Sequence, residues 1–171
     1  MVAECGALSA GRLAGIYIVG QRGAMPSAVL AAQARAGRGL VGDRYHDGVG
    51  TWSQWPGAGR DVTLIAAEIL AQLAPRYRIS AAESRRNLLT RGVDLDALVG
   101  REFRIGSVWF RGQRPCEPCA HLERLTRPGM ASQLRGRGGL RADVLSDGWL
   151  RCGDALTVGM APVEIGARDA E

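Results

Sequence analysis

The run Arg114-Pro115-Cys116-Glu117-Pro118-Cys119-Ala120-His121 is the densest group of chemistry-bearing side chains in the sequence. A C-x-x-C followed by a histidine admits three readings. A structural zinc site takes four ligands and needs a second pair at suitable spacing. Cys5 and Cys152 stand alone and His46 is the only other histidine, so no zinc is expected. A thioredoxin-like pair sits at a strand-to-helix junction within a βαβ unit, and the surrounding pattern does not supply that frame. The third reading is one working thiolate, Cys119, with Cys116 as its neighbour. If a helix begins near Pro118, its unpaired N–H groups and dipole favour a thiolate there, and Arg114 adds positive potential. Two buried small hydrophobes are the bland reading of the same pair.

Three further groups suit anions. Glu83-Ser84-Arg85-Arg86-Asn87 sets two arginine forks beside an amide, apt for a phosphate or a polar ring; a solvated face is its ordinary reading. Arg135-Gly136-Arg137-Gly138-Gly139-Leu140-Arg141 lets backbone amides approach an anion, but lacks P-loop spacing and any lysine. In Gly39-Leu40-Val41-Gly42-Asp43-Arg44-Tyr45-His46, Asp43 can cap a turn, Arg44 can pair elsewhere, and His46 can act as an acid or base near neutrality.

These groups need positioning elements. Residues 12–19 read as a strand, with 29–34 as its partner after the turn Met25-Pro26-Ser27. Residues 37–55 read as a long ordered loop of the kind that often carries function. Residues 61–65 are β-branched and strand-like, and 66–73 switch to helical spacing. Ser80-x-x-Glu83 matches a capping box opening a helix through Leu89. Residues 101–111 alternate as one strand with a break at Gly106, placing Phe103, Ile105, Ser107 and Trp109 on one face. Residues 119–134 form short helices broken at Arg127-Pro128-Gly129, and 140–145 and 156–158 are the last strands. This pattern predicts a mainly β fold with added helices, a barrel-like arrangement of mixed or antiparallel strands. One domain spans 1–171, with its core at about 12–160 and a loose tail over 161–171.

The bulk numbers agree. A chain of 171 residues with 46% hydrophobic and 23% charged content is that of a globular protein. All 22 basic residues are arginine, and net charge is +5, so every cation is a planar fork suited to phosphate or carboxylate. Aromatics at 5% are too few for a single-strand stacking platform, so no nucleic-acid partner is expected. No apolar run reaches membrane-span length. With no secretion signal, the cysteines read as thiols and the protein as cytoplasmic.

Taken in order, these segments resemble the MOSC family, named for the C-terminal domain of molybdenum-cofactor sulfurases. The resemblance runs through 39–46, Arg60-Asp61-Val62-Thr63-Leu64-Ile65-Ala66-Ala67-Glu68, Ser84-Arg85-Arg86-Asn87-Leu88-Leu89 and Gly92-Val93-Asp94-Leu95. It continues through Leu98-Val99-Gly100-Arg101, Phe103-Arg104-Ile105-Gly106, Cys116-Glu117-Pro118-Cys119, Arg137-Gly138-Gly139-Leu140-Arg141-Ala142 and Gly153-Asp154. It implies a β-barrel-like fold and a molybdopterin-type molybdenum cofactor. It also implies that Cys119 ligates molybdenum or carries a persulfide, that Arg85 and Asn87 hold the phosphate and pterin, and that Cys116 modulates. Around these, Arg86, Asp43, Arg44, Arg137 and Gly138 complete the candidate cofactor-binding set, and His46 joins Cys119 as a candidate catalytic residue. The family's amidoxime reductases carry a further N-terminal barrel that contributes cofactor contacts. These 171 residues leave no room for one, so either the 37–55 loop closes the pocket or the cofactor is held more weakly.

The expected function is a molybdenum oxidoreductase that reduces N-hydroxylated or N-oxide small molecules. The alternatives are a sulfur carrier using a persulfide on Cys119, or a carrier of the molybdenum cofactor without turnover. An electron-donor or sulfur-donor protein is the expected partner.

Overall fold

The β-branched and apolar alternation near the N-terminus builds the strand on which the fold closes. The computed structural model describes residues 11–162, so Cys5 and all but the first two residues of the expected loose tail lie outside the described residues. β1 (Gly11–Ile18) pairs antiparallel with β6 (Leu88–Arg91) along one edge. Its other edge is shared. β11 (Ala155–Val158) takes the start of β1 and β2 (Ser27–Val29) takes its end. From β11 the ring continues through β7 (Glu102–Ile105), β8 (Val108–Pro115), β9 (Leu140–Val144) and β5 (Val62–Ala66) back to β6. The result is a seven-strand mixed barrel in which only β5 and β6 run parallel. A small second sheet joins β3 (Ala31–Arg35) to β4 (Gly39–Leu40) and β10 (Gly148–Arg151).

Leu13, Ile16, Leu64, Leu88, Phe103, Phe110 and Leu140 fill the barrel interior. Phe103 and Phe110 stack with ring centroids 5.4 Å apart, and each contributes about 1.5–3 kcal/mol through its buried area. A satellite cluster of Ile65, Leu73, Ile79, Leu122, Met130 and Leu134 seats three short helices on the wall. These are α1 (Ala67–Ala71), α2 (Ala120–Leu125) and α3 (Met130–Leu134). Gly129 in the left-handed region (φ 89°) makes the break between α2 and α3.

Three expectations need correction. The expected partner of residues 12–19 is split, since β2 pairs with β1 whereas β3 lies in the second sheet. Residues 101–111 are a hairpin, with Gly106 (φ 58°) in a two-residue turn. The turn changes the phase of alternation, so Val108 and Phe110 face the core with Phe103 and Ile105, while Trp109 lies partly exposed under Arg104. The capping-box bonds at Ser80 do form, since Glu83 Oε2 accepts from the Ser80 N–H (2.7 Å) and Ser80 Oγ from the Glu83 N–H (3.2 Å). No helix follows them. Arg85 takes a left-handed backbone (φ 60°), and the chain then enters β6.

Gly139 (φ 103°) lies where a Cβ would meet the Leu64 carbonyl. Gly139→Ala is therefore expected to destabilise the fold by about 2 kcal/mol or more, read from chemical denaturation. An unchanged midpoint would contradict the close approach of β9 to β5.

Candidate functional site

The site is built on a buried polar knot. Asp43 is 1% exposed, and its Oδ2 accepts from the Val19 N–H and from Asn87 Nδ2 (both 3.1 Å). Its Oδ1 accepts from the Tyr45 N–H at 3.0 Å. Asn87 Oδ1 accepts from the Thr63 N–H (3.1 Å) and Oγ1 (3.2 Å), and Nδ2 also reaches the Tyr17 carbonyl at 3.3 Å. Asn87's amide is thus spent inside the fold, as a brace between β1, β5 and the Asp43 turn.

The residues on either side of the knot open onto one narrow cleft of about 50 Å³, lined by Arg44, Tyr45, Thr51, Trp52, Thr63, Arg85, Arg86, Glu117, Cys119, His121 and Arg141 among others. That volume is room for roughly four water molecules, the bulk of a phosphate group. Arg44 lies over the Tyr45 ring at 4.7 Å, with Asp43 as its nearest carboxylate at 3.7 Å. Arg85 is the one described non-glycine residue with positive φ, a strained backbone of the kind that collects at ligand sites. Burial, and next the like charge of Arg44, push its guanidinium below the usual arginine range. Two crowded cations facing one cleft make it attractive to an anion.

Arg86 works differently. It is buried, and donates from Nε to the Gly138 carbonyl (3.0 Å), from Nη1 to Ser84 (3.3 Å) and from Nη2 to Cys116 (3.4 Å). It therefore clamps the cysteine loop to the loop before β9. Cys116, 2% exposed, donates its N–H to the Gly139 carbonyl at 2.7 Å. A Cβ at Gly138 would strike the Cys116 carbonyl, so glycine is required there for packing. Cys119 is exposed with a free thiol at the N-cap of α2. Two residues on, His121 shares the cleft. Burial, then Arg124, Arg85, Arg44 and Arg22, hold its imidazole below the ordinary histidine value, which keeps it neutral at neutral pH.

The structure thus brings together Cys119, Arg44, Arg85 and Arg86 of the expected residues, with Asp43, Asn87, Cys116 and Gly138 supporting them from below. His46 and Arg137 are not there. His46 Nδ1 pairs with Asp47 at 2.9 Å, in a separate depression with Arg38, Arg60 and Asp61. Arg137 turns its Nε to the Gln133 carbonyl and lines a depression of about 360 Å³ with Glu68, Asp94 and Asp96, which carries no thiol. Thr63 and Arg141 were not foreseen for the cleft. The Cys119-Ala120-His121 spacing at a helix start was the signal for His121. Among the described residues, no three His, Cys, Asp or Glu side chains converge to hold a metal ion, so a metal at Cys119 needs ligands from elsewhere.

The loop carrying Thr51 and Trp52 is tied down behind the cleft. Arg60 donates from Nη1 to the Trp52 carbonyl (2.8 Å) and from Nη2 to Pro56 (3.0 Å). Asp143 Oδ1 accepts from the Gly59 and Arg60 N–H groups, and Asp61 Oδ2 from the Val144 N–H at 2.9 Å.

The chain is a mixed β-barrel that carries an exposed, arginine-flanked thiol at a helix start. The MOSC domain model matches residues 43–157, and the chain belongs to the MOSC domain family. None of the curated proteins matches it. The YuaD protein of Bacillus subtilis is similar in structure, with TM-score 0.70 at 17% identity over 85% of this chain and 93% of that one. YiiM of Geobacillus stearothermophilus has TM-score 0.66 at 16% identity, over 92% of this chain and 78% of that one. YiiM of Escherichia coli has TM-score 0.64 at 18% identity, over 90% and 72%. At these identities the likeness is one of fold. The family is associated with the molybdenum cofactor. No described helix is long and apolar enough to cross a membrane.

Two predictions follow from this geometry. Arg85→Gly relieves the left-handed backbone, so it should stabilise the fold by about 1 kcal/mol while weakening phosphate or sulfate binding; melts with and without the anion check both signs. Asp61 is raised from 3.8 to about 6 by burial, with Asp143 adding to the rise. Between those values the folded state holds a proton the unfolded chain has lost, so its contribution grows as pH falls through about 6 and is lost above it. Asp61→Asn keeps an acceptor for Val144 and should gain on the order of 1 kcal/mol at neutral pH, after discounting for partial exposure. Denaturation at two pH values checks it, and a variant that keeps the wild-type slope exonerates Asp61.

Proposed function

We propose that this protein binds a molybdopterin-type molybdenum cofactor at the Cys119 cleft and reduces N-hydroxylated or N-oxide small molecules. The single observation supporting this reading is the exposed, unpaired Cys119 thiol beside two crowded, partly buried guanidiniums, Arg44 and Arg85. That donor set fits the group: a soft thiolate suits molybdenum and arginine forks suit a phosphate. The cleft admits a phosphate-sized group, and Cys119 is open to solvent for the remainder.

When bound, the cofactor supplies a metal able to take an oxygen atom from nitrogen and to pass on two electrons. The chain does the rest. Cys119 would hold the metal, and Arg44 and Arg85 would take the phosphate. Arg86 holds the cysteine loop at its height by gripping the Cys116 and Gly138 carbonyls. Trp52 and Tyr45 wall the cleft on the side of the 44–60 loop. The net change is R–NHOH plus two electrons and two protons giving R–NH₂ and water, with electrons from a separate reduced donor protein. The neutral imidazole of His121 stands in the same cleft as a hydrogen-bonding group for a polar substrate.

The narrowness of the cleft favours a second reading, a sulfur carrier. Here a donor persulfide R–S–SH would give Cys119–S–SH and R–SH, with no metal held. Expression in a host that makes the cofactor, with metal and pterin assayed beside Cys119→Ala, separates the two. Near-stoichiometric molybdenum lost in the variant supports the first reading. A mass gain of about 32 Da, one sulfur atom, without molybdenum and absent from Cys119→Ala, replaces it with the second.

A further inference from the structure

The depression lined by Arg137 takes no part in the chemistry of the Cys119 cleft. It encloses about 360 Å³, within the usual range of small-molecule sites, roughly 300–1,000 Å³. Much of its wall is apolar, from Ala66 and Ile69 where β5 passes into α1, and from Val93 and Leu95 beyond the end of β6. Set into that wall are three carboxylates, Glu68, Asp94 and Asp96, and one guanidinium, Arg137. Among the described residues none of these four makes an ion pair, with one another or with anything else.

The four charges are held in place but not satisfied. Glu68 Oε1 accepts from the Gly92 N–H at 2.8 Å, whereas Glu68 Oε2 is buried and has no hydrogen-bond partner among the described residues. A buried carboxylate oxygen without a donor is short of a bond whose absence is costly, and a cationic N–H in the depression would make it. Asp94 Oδ1 accepts from the Asp96 N–H at 3.0 Å. Arg137 spends its Nε on the Gln133 carbonyl at 2.8 Å. Solvation accounts for Asp94 and Asp96, which are exposed, but leaves the Glu68 oxygen without its donor. Opposite charges that share one small, largely apolar space without meeting are what a zwitterion can bridge. Each end of the ligand finds its counter-charge, and the hydrocarbon between them covers the apolar wall.

We infer that this depression binds a small amphipathic zwitterion, with a cationic nitrogen at Glu68 and Asp94, a short apolar chain along Ile69 and Val93, and a carboxylate at Arg137. Three carboxylates against one guanidinium make the cationic end of the ligand the stronger determinant. The site is independent of what Cys119 holds.

The test titrates the full chain with ε-aminocaproate, hexylamine and hexanoate, following the Gly92 and Val93 amide signals by NMR. The zwitterion is expected to bind most tightly, hexylamine severalfold more weakly, and hexanoate weakest of the three. Glu68→Gln keeps an acceptor for Gly92 and is expected to weaken ε-aminocaproate at least about tenfold, with loss of the preference for hexylamine over hexanoate. Arg137→Gln should weaken the zwitterion severalfold and leave hexylamine unchanged. Asp94→Asn, at an exposed position that retains the bond to Asp96, should weaken both amines severalfold, so the inference stays testable if the Glu68 variant does not fold. Four outcomes overturn it: no response at Gly92 and Val93 to any probe, equal affinity for all three, affinity unchanged in the Asp94 and Glu68 variants, or a response at Tyr45 and Thr63 instead, which would put the ligand in the Cys119 cleft.

Discussion

A carboxylate placed inside a protein must be satisfied by donors, because an isolated buried charge costs far more than any one packing contact returns. Asp43 meets that demand with three N–H donors, from Val19 at the end of β1, from Tyr45 in its own turn and from the Asn87 amide. Those donors come from three separate stretches of chain, so satisfying one carboxylate fixes their mutual position. Asn87 extends the constraint to Thr63 on β5 through its side-chain oxygen, which accepts, and its backbone N–H, which donates. The barrel's single parallel pairing, β5 with β6, begins next to this knot.

What the cleft presents follows from that geometry. Arg44 is the residue after Asp43, and Arg85 and Arg86 are the two before Asn87, so the knot delivers three guanidiniums to one place. Bringing Asn87 to Thr63 directly after the Ser80–Glu83 turn forces a sharp reversal, and Arg85 absorbs it with φ 60°. An intrinsic cost of roughly 1–2 kcal/mol at a non-glycine residue survives because the surrounding hydrogen bonds over-determine the backbone. The strain and the two crowded cations lie at the same point, where a bound anion would return stability to the fold.

The barrel could be read from the sequence because most of its strands alternate over four or more residues and several end at glycine. The places where reading failed have local causes. Ser80-x-x-Glu83 specifies a cap, and the cap formed, but a cap does not oblige a helix when a residue seven positions on has partners in another strand. The hairpin at Gly106 inverted one face because a two-residue turn shifts the phase of an otherwise continuous alternation, and nothing in Phe103–Phe110 marks the shift except the glycine. β10 was missed since Gly148–Arg151 carries a single buried residue, Leu150, and exists by pairing with β3. At the site, Cys119, Arg44, Arg85 and Arg86 were legible from residue type and order. That Asn87 faces inward, and that Arg137 and His46 face other depressions, depends on pairings between positions tens of residues apart. No local pattern reports those.

The chain's exclusive use of arginine acquires meaning at Arg86. Its three acceptors, the carbonyls of Ser84, Cys116 and Gly138, come from three loops, one of them its own, and are spread around one planar guanidinium. An ammonium at the end of a flexible stem has three donors clustered on a single nitrogen and no fixed plane to hold loops at a set separation. Arg86 therefore acts on Cys119 at a distance. By holding the Cys116 carbonyl it sets the start of α2, and α2 carries the thiol and His121 into the cleft. The same residue type performs different tasks at adjacent positions: Arg85 has no side-chain acceptor among the described residues and faces the cleft, whereas Arg86, surrounded by acceptors, becomes part of the frame. Burial and the available carbonyls decide which role each takes, and both are inherited from the placement of Asn87.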